Sequence, residues 1–407
     1  MVDNPRASRS PRILFATYGG GHVQSLIPVI QLLKAERKAT IDVLGFTTAL
    51  AAFKRAGISA NGYRYLLTDD DGPWLELARK HKQPDNHLDI EEADSLAYHA
   101  LGLRDLVGKL GHDLAIKEYH RCGRKAFLPV ETFRRYLRSS CPDLVVTSTS
   151  PRSELALQYA ANDLGIKGLA ISDLFLQNES DYLRHSRYAK RITVIARYVE
   201  EFLVSCGVER SRVVVTGNPA FDSLNDPFHS ISASELRRNF EGKNEPRILL
   251  WVCPSATVSM IGKPFIEPDR MLDFLEAYCS STGDIYLVKE HPNFPVVGNR
   301  SLEHGEICSQ NIPIETYLNL SDLVLQETST VGIQAALLGK PVITINNGDY
   351  PPYARLRLAV DVASLDQAGE ALSRALLPDL TLLGYSKLGH ATQAVTTLIE
   401  QLTCEGN

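Results

Sequence analysis

Along most of the chain, short apolar runs alternate with stretches whose apolar residues recur every three or four positions. Arg12–Tyr18 (RILFATY) predicts a buried strand. Gly19-Gly20-Gly21-His22 follows it. Leu26, Val29, Ile30 and Leu33 then fall at helical spacing and predict a helix running to Lys38. Thr40–Phe46 predicts a second strand, Thr48–Ala56 a helix stopped by Gly57, and Tyr63–Leu67 a third strand. Parallel neighbours need a crossover, usually a helix, so this rhythm implies a doubly wound parallel α/β sheet.

Residues 68–128 break the rhythm. They are rich in acids and histidines with helical periodicity, and read as an insertion beside the sheet. The alternation then resumes, with strands at Asp143–Thr147, Gly168–Ser172, Ile192–Ala196 and Val213–Thr216 and helices at Ser153–Asn162 and Val199–Cys206. The polar stretch Asn225–Glu245 is the candidate linker. Beyond it the pattern repeats, with strands at Ile248–Val252, Ile285–Lys289, Leu323–Gln326 and Pro341–Ile345. Helices are expected at Asp269–Cys279, Val331–Leu338 and Gln367–Leu376, with a last amphipathic one at Ala391–Leu402. The expected organisation is two Rossmann-like domains, 1–222 and 223–385, facing a cleft, with 386–407 packing back on the first. Ligands of open parallel sheets sit outside the carboxyl ends of the strands.

Composition narrows the class. The 407 residues are 44% hydrophobic and 22% charged, ordinary for a globular chain and unlike a disordered or collagen-like one. A formal charge of −5 gives no electrostatic reason to bind nucleic acid. Seven scattered cysteines without a C-x-x-C pair read as reduced thiols, suit a cytoplasmic setting and argue against zinc. The most apolar window, Ile248–Met260, contains Pro254 and falls short of a spanning helix. Peripheral membrane contact and oligomeric state stay open.

Several short segments carry candidate chemistry. Gly19, Gly20 and Gly21 let the backbone turn sharply and approach a ligand, and the following helix start suits a phosphate or polar sugar. His22 at that turn can take a proton from a hydroxyl. The spacing is not G-x-G-x-x-G, because Gln24 stands at the last position, so a dinucleotide fingerprint is incomplete. Asn218 lies in a Gly-Asn-Pro turn that on its own is only a turn. In Lys289-Glu290-His291-Pro292, the proline ends a strand and His291 can hydrogen-bond or neutralise a phosphate. After Leu323–Gln326 comes Glu327-Thr328-Ser329-Thr330, then a helix. Ser329 and Thr330 can cap that helix and donate to the anion it attracts, and Gln334, about one turn in, can reach a ribose hydroxyl. Asp70 and Asp71 belong to an acidic turn that suits a metal or a base, although such runs more often form a solvated turn. Asp173 ends a strand and is a carboxylate suitably placed for the ligand side.

These segments, in this order, resemble the GT-B glycosyltransferase superfamily. The glycine-histidine loop is similar to that of the lipid-linked peptidoglycan N-acetylglucosaminyltransferase and of plant glycosyltransferases, where the histidine is the base. VTGNPAFDSL, KEHPNFP and SDLVLQETSTVGIQAALLGKPVI are similar to UDP-N-acetylglucosamine 2-epimerases and to capsule and teichoic-acid transferases. In those transferases a His-Pro motif and a paired-hydroxyl motif hold the donor phosphates, matching His291, Pro292, Ser329 and Thr330. Asp70-Asp71-Gly72 matches an acidic motif of polysialyltransferases only as a short string. The stretch WVCPSATVSM departs from the arginine-rich segment of the epimerases, and Gln334 stands where many relatives carry Glu.

The resemblance implies a nucleotide-sugar donor held by His291, Ser329, Thr330, Gln334 and Glu327, a hydroxyl acceptor deprotonated by His22, and no cofactor or metal. The expected activity is inverting glycosyl transfer in bacterial glycan synthesis. A nucleotide-sugar hydrolase or 2-epimerase, and a non-catalytic nucleotide-sugar-binding protein, are the alternatives.

Overall fold

The computed structural model describes residues 10–82, 90–240, 245–254, 262, 264–291, 294–385 and 387–404. The chain divides into two compact units, one reaching to Ala220 and resuming at His390, the other spanning Phe221–Gly389.

The first unit opens with β1 (Arg12–Thr17), α1 (Gly21–Glu36), β2 (Thr40–Gly45) and α2 (Thr48–Arg55). The region read as an insertion is helical, with α3 (Gly72–His81), α4 (Glu92–Leu110) and α5 (His112–Cys122), followed by α6 (Val130–Ser140). The remainder is β3 (Leu144–Thr147), α7 (Ser153–Asp163), β4 (Lys167–Ile171), the short α8 (Ser180–Leu183), β5 (Arg191–Val194), α9 (Arg197–Ser205) and β6 (Val213–Val215). The sheet order is β2-β1-β3-β4-β5-β6, all parallel. Its central strands are apolar on both faces because both faces are covered. One cluster packs Leu14, Ala16 and Val145 against Ala97, Leu101 and Leu103 of α4 and Ala156 and Ala160 of α7. The other packs Ile13, Phe15 and Val146 against Leu26, Val29, Ile30 and Leu33 of α1 and Val395, Ile399 and Leu402 of the final helix. Each of the larger aliphatic side chains contributes about 1.5–3 kcal/mol on burial.

The second unit contains α10 (Pro227–Arg237), β7 (Ile248–Val252), α11 (Pro268–Thr282), β8 (Ile285–Lys289), β9 (Gly305–Ile307), α12 (Ile314–Leu320), β10 (Leu323–Gln326), α13 (Val331–Leu337), β11 (Val342–Ile345), β12 (Val360–Val362) and α14 (Leu365–Arg374). Its strands are also parallel, in the order β12-β11-β10-β7-β8-β9. The last helix, α15 (Ala391–Cys404), returns to the first unit.

Two segments differ from the sequence expectation, and α6, β9, α12 and β12 were not expected at all. Tyr63–Leu66 is a 3-10 turn rather than a strand. Tyr63 and Leu66, three residues apart, bury their side chains on one side, while the Arg64 N–H donates to Asp94 Oδ1 at 3.0 Å instead of to a neighbouring strand. The presumed linker is largely α10. Asp226 caps it by accepting the Phe228 N–H, and His229 and Ala233 are buried beneath it. No described helix is long and apolar enough to cross a membrane.

Candidate functional site

In an open parallel sheet the chain reverses its winding direction at a switch point, and ligands sit outside the carboxyl ends of the strands there. In the first unit that point lies between β1 and β3, where Gly19–His22 and the loop 148–152 leave the sheet. Buried Glu154 joins the two strand ends. Its Oε1 accepts the Tyr18 N–H at 2.6 Å and the Ser148 hydroxyl at 3.0 Å, while the Thr17 and Ser148 hydroxyls meet at 2.8 Å.

Two glycines of the loop after β1 are required for identifiable reasons. A Cβ at Gly19 would stand 1.5 Å from Thr48 Oγ1. Gly20 adopts φ 71, a left-handed conformation that side chains disfavour, at the start of α1. A Cβ at Gly21 would stand 3.4 Å from Asp173 Oδ2, so this turn brings the backbone against that carboxylate. His22 follows, with Nδ1 buried and 3.4 Å from Asp173 Oδ2 and about a quarter of the side chain exposed (27%). The pair attract by charge whenever the ring is protonated.

Asn218 fixes the carboxylate's backbone. Its Nδ2 donates to the Asp173 carbonyl at 2.8 Å, and its Oδ1 accepts the Ser25 hydroxyl at 3.0 Å and the Ala220 N–H at 2.9 Å. The Gly-Asn-Pro turn thus ties α1 to the loop after β4. Glu179, which sequence reasoning missed, completes the electrostatics. Its carboxyl is held above the usual range, first by burial and then by the Asp173 charge, against the Asn178 N–H and the His22 charge. Only its place in the folded chain, beside Asp173, could have identified it.

Asp71 has another role. It is 1% exposed and receives Arg104 at 2.7 Å and Arg135 at 2.8 Å. Burial pushes its carboxyl up, but hydrogen bonds from Arg135, the Thr68 amide and Arg104 outweigh this and take it down to about 2. It ties the start of α3 to α4 and α6. Neither a solvated turn nor a free base fits, although Asp70 beside it is exposed.

In the second unit the switch point lies between β7 and β10. The run Glu327–Thr330 leaves β10 there. Ser329 is half-buried, its N–H donates to Gln326 Oε1, its hydroxyl accepts the Val331 N–H at 3.2 Å, and its carbonyl accepts the Tyr353 hydroxyl at 2.7 Å. Thr330 is exposed at the start of α13, which is only seven residues long, and Gln334 is half-buried on that helix. Glu327 lies beneath the run, 2% exposed. Its Oε1 accepts the Ile266 N–H at 3.0 Å, its Oε2 is buried with no partner among the described residues, and its carbonyl accepts Asn347 Nδ2 at 2.8 Å. Burial raises this carboxyl to about 7, against the Ile266 N–H. Glu327 and Asn347 therefore frame the hydroxyl run. Asn347 was not legible in the sequence, since its partners come from the loop after a different strand.

His291 is half-buried past the end of β8, and its carbonyl accepts the Phe294 N–H at 2.9 Å. Glu290 folds this loop back, accepting the Val296 and Val297 N–H groups at 2.7 and 2.8 Å. Pro292 lies outside the described residues. Among the described residues no three histidine, cysteine or carboxylate side chains gather as metal ligands, and the seven cysteines are unpaired.

No protein-family model and no curated protein sequence matches this chain. Solved structures do match over nearly its whole length. A UDP-GlcNAc 2-epimerase from Methanocaldococcus jannaschii, crystallised with UDP-GlcNAc and UDP, superposes with a TM-score of 0.62 at 12% identity, covering 96% of this chain and 99% of that one. The UDP-GlcNAc 2-epimerase of Neisseria meningitidis, bound to UDP-GlcNAc, gives 0.60 at 13% identity, covering 96% and 100%. The calicheamicin glycosyltransferase CalG4 gives 0.58 at 14%, covering 97% and 98%. With its two six-stranded parallel sheets, the fold is of the GT-B type.

Proposed function

We propose that this chain is an inverting, metal-independent glycosyltransferase that moves a sugar from a nucleotide-activated donor to a hydroxyl acceptor. The observation that carries the reading is His22 Nδ1 at 3.4 Å from Asp173 Oδ2, on a loop where a side chain would collide at Gly19 and be strained at Gly20. With its proton on Nδ1, toward the carboxylate, the imidazole offers Nε2 to the acceptor hydroxyl. Asp173 then stabilises the imidazolium that forms. The deprotonated oxygen attacks the anomeric carbon as the bond to the diphosphate breaks, inverting that centre.

The second unit takes the donor. Thr330, Ser329 and His291 meet the developing charge on the leaving diphosphate, and Gln334 takes a ribose hydroxyl. Glu327 supports the loop from below. A uridine donor is favoured because similar structures were crystallised with UDP-GlcNAc and UDP. Gly20, with open space beside it, leaves room for the acceptor near His22. The resemblance of the motifs suggests bacterial glycan synthesis on the cytoplasmic side as the setting.

The test is nucleotide release. Purified protein incubated with UDP-GlcNAc and a panel of saccharide acceptors should release UDP only when an acceptor is present. His22→Ala should lose this by at least about 100-fold, the lower range of what a positioned base contributes. Full turnover in His22→Ala would remove the base assignment.

The epimerase or hydrolase reading rests on a separate observation: structures of UDP-GlcNAc 2-epimerases superpose on this chain as well as that of a glycosyltransferase does. Under that reading UDP-GlcNAc alone suffices, and epimerised or free sugar appears without acceptor.

A further inference from the structure

Half-buried arginines of the first unit are held by acceptors on the protein. Arg12 pairs with Asp42 at 2.6 Å, Arg104 with Asp71 at 2.7 Å, and Arg134 and Arg187 share Asp163 at 2.5 Å. Arg212 donates to the Ala189 carbonyl at 3.1 Å. Arg152 is different. It is half-buried as well, yet its guanidinium forms no ion pair and no hydrogen bond with any described residue. It lies over the Tyr18 ring instead, 5.5 Å from the centroid. An aromatic face attracts a cation but leaves its N–H donors unused. A guanidinium that loses part of its water and gains no acceptor costs free energy. Such a group calls for an explanation.

Its place supplies one. Arg152 closes the loop after β3 and stands at the start of α7. Tyr18 follows β1 on the loop that carries His22, and its N–H is tied to Glu154 at 2.6 Å. Because β1 and β3 are paired neighbours, Arg152 and Tyr18 flank the switch point where ligands of such sheets sit. α1 packs on one face of this sheet and α7 on the other. A ligand that reaches both His22 and Arg152 therefore crosses the strand ends.

The surroundings keep the cation's charge in play. α7 is eleven residues long and has no side-chain cap, so its positive end acts in the same sense as the guanidinium. Glu154, in the first turn, acts against both. It is fully buried, however, and its Oε1 is taken by the Tyr18 N–H and by the Ser148 hydroxyl at 3.0 Å. Thr149, in the same loop, is 1% exposed, and its Oγ1 has no partner among the described residues. The loop thus holds a second polar group that the protein leaves unsatisfied.

We propose that Arg152 selects an anionic acceptor: a saccharide whose carboxylate or phosphate meets the guanidinium while its hydroxyl meets His22. The planar fork of arginine matches either anion with a pair of parallel N–H···O bonds. The Tyr18 ring beneath it holds the fork in place before the ligand arrives, which lowers the cost of binding. This names the acceptor class for the glycosyltransferase reading and rests on that reading.

The test is calorimetric titration of the full chain with methyl glucuronide, with glucose 6-phosphate and with neutral methyl glucoside, in saturating UDP to occupy any donor site. An anionic probe should bind at least about tenfold more tightly than the glucoside. The tighter of the two anionic probes identifies carboxylate or phosphate as the group. Arg152→Gln should abolish the preference, and Arg152→Lys, a cation without the fork, should keep part of it. If Arg152→Gln does not fold, the parent and Arg152→Lys decide. Equal binding of anionic and neutral probes, a preference that survives Arg152→Gln, or no binding of any probe at millimolar concentration would overturn the proposal. UDP release from UDP-GlcNAc with the same acceptors separates this from the reading beneath it. Selective binding without release would remove the transferase reading and keep the anion site. Release with neutral and anionic acceptors alike would keep that reading and overturn the anion site.

Discussion

Replacing Glu327 by Gln should change how the second unit's stability depends on pH. The side chain is 2% exposed, with one oxygen bonded to Ile266 N–H and the other unpartnered among the described residues. Burial raises its carboxyl from an ordinary 4.5 to about 7. The folded state therefore holds a proton that the unfolded state has released across this interval. Its stability is fully present below pH 4.5 and declines as pH rises through 7. At 1.36 kcal/mol per pH unit this amounts to about 3 kcal/mol. Glutamine keeps the shape and an acceptor for Ile266 without ionising, so it should remove the decline. The assay is urea unfolding followed by tryptophan fluorescence in a Trp74→Phe background, which leaves buried Trp251 on β7 as the reporter. The difference in unfolding free energy between Glu327→Gln and the parent should shift toward the variant by about 2.5 kcal/mol from pH 5 to pH 8. Parallel pH dependences in the two proteins would refute the buried-acid argument, whatever other groups titrate, because those groups are common to both.

Asp71→Ala removes the carboxylate shared by Arg104 and Arg135 and should destabilise the first unit by about 3–5 kcal/mol, read by chemical unfolding. Gly19→Ala drives a methyl group into Thr48 Oγ1 and should cost about 1–3 kcal/mol in the same assay, with part restored by Thr48→Ala. Asn218→Ala frees the Asp173 carbonyl and the Ser25 hydroxyl. It should lower turnover about tenfold while UDP affinity stays unchanged, since it acts only through the position of Asp173. Equal loss of UDP affinity would instead mark a general structural defect.

How far the sequence reaches follows from the range of the interactions involved. Strands such as β1 and β7 and helices such as α1 declare themselves, because their apolar period depends on near neighbours in the chain. Tyr63–Leu66 carries apolar residues that suit either a strand or a turn, and only Asp94, in a distant helix, selects the turn. Asn225–Glu245 looks polar because α10 buries only His229 and Ala233 and leaves Phe228 and Ile231 exposed. The glycine-histidine loop was legible since glycine and histidine at a strand end are costly without a purpose. Asp173 was legible only by position. Glu154, Glu179 and Asn347 were not, because their roles come from strand ends that the sheet order brings together. Asp71 was misread for the same reason: its two arginine partners lie 33 and 64 residues away.

The central claim separates a donor-binding unit from a proton-accepting one, and titration of UDP into three proteins tests it most directly. His22→Ala should bind UDP as the parent does, whereas Ser329→Ala combined with Thr330→Val should bind it at least about tenfold more weakly. No UDP binding by the parent, or a loss of affinity in His22→Ala with none in the hydroxyl variant, would contradict the account.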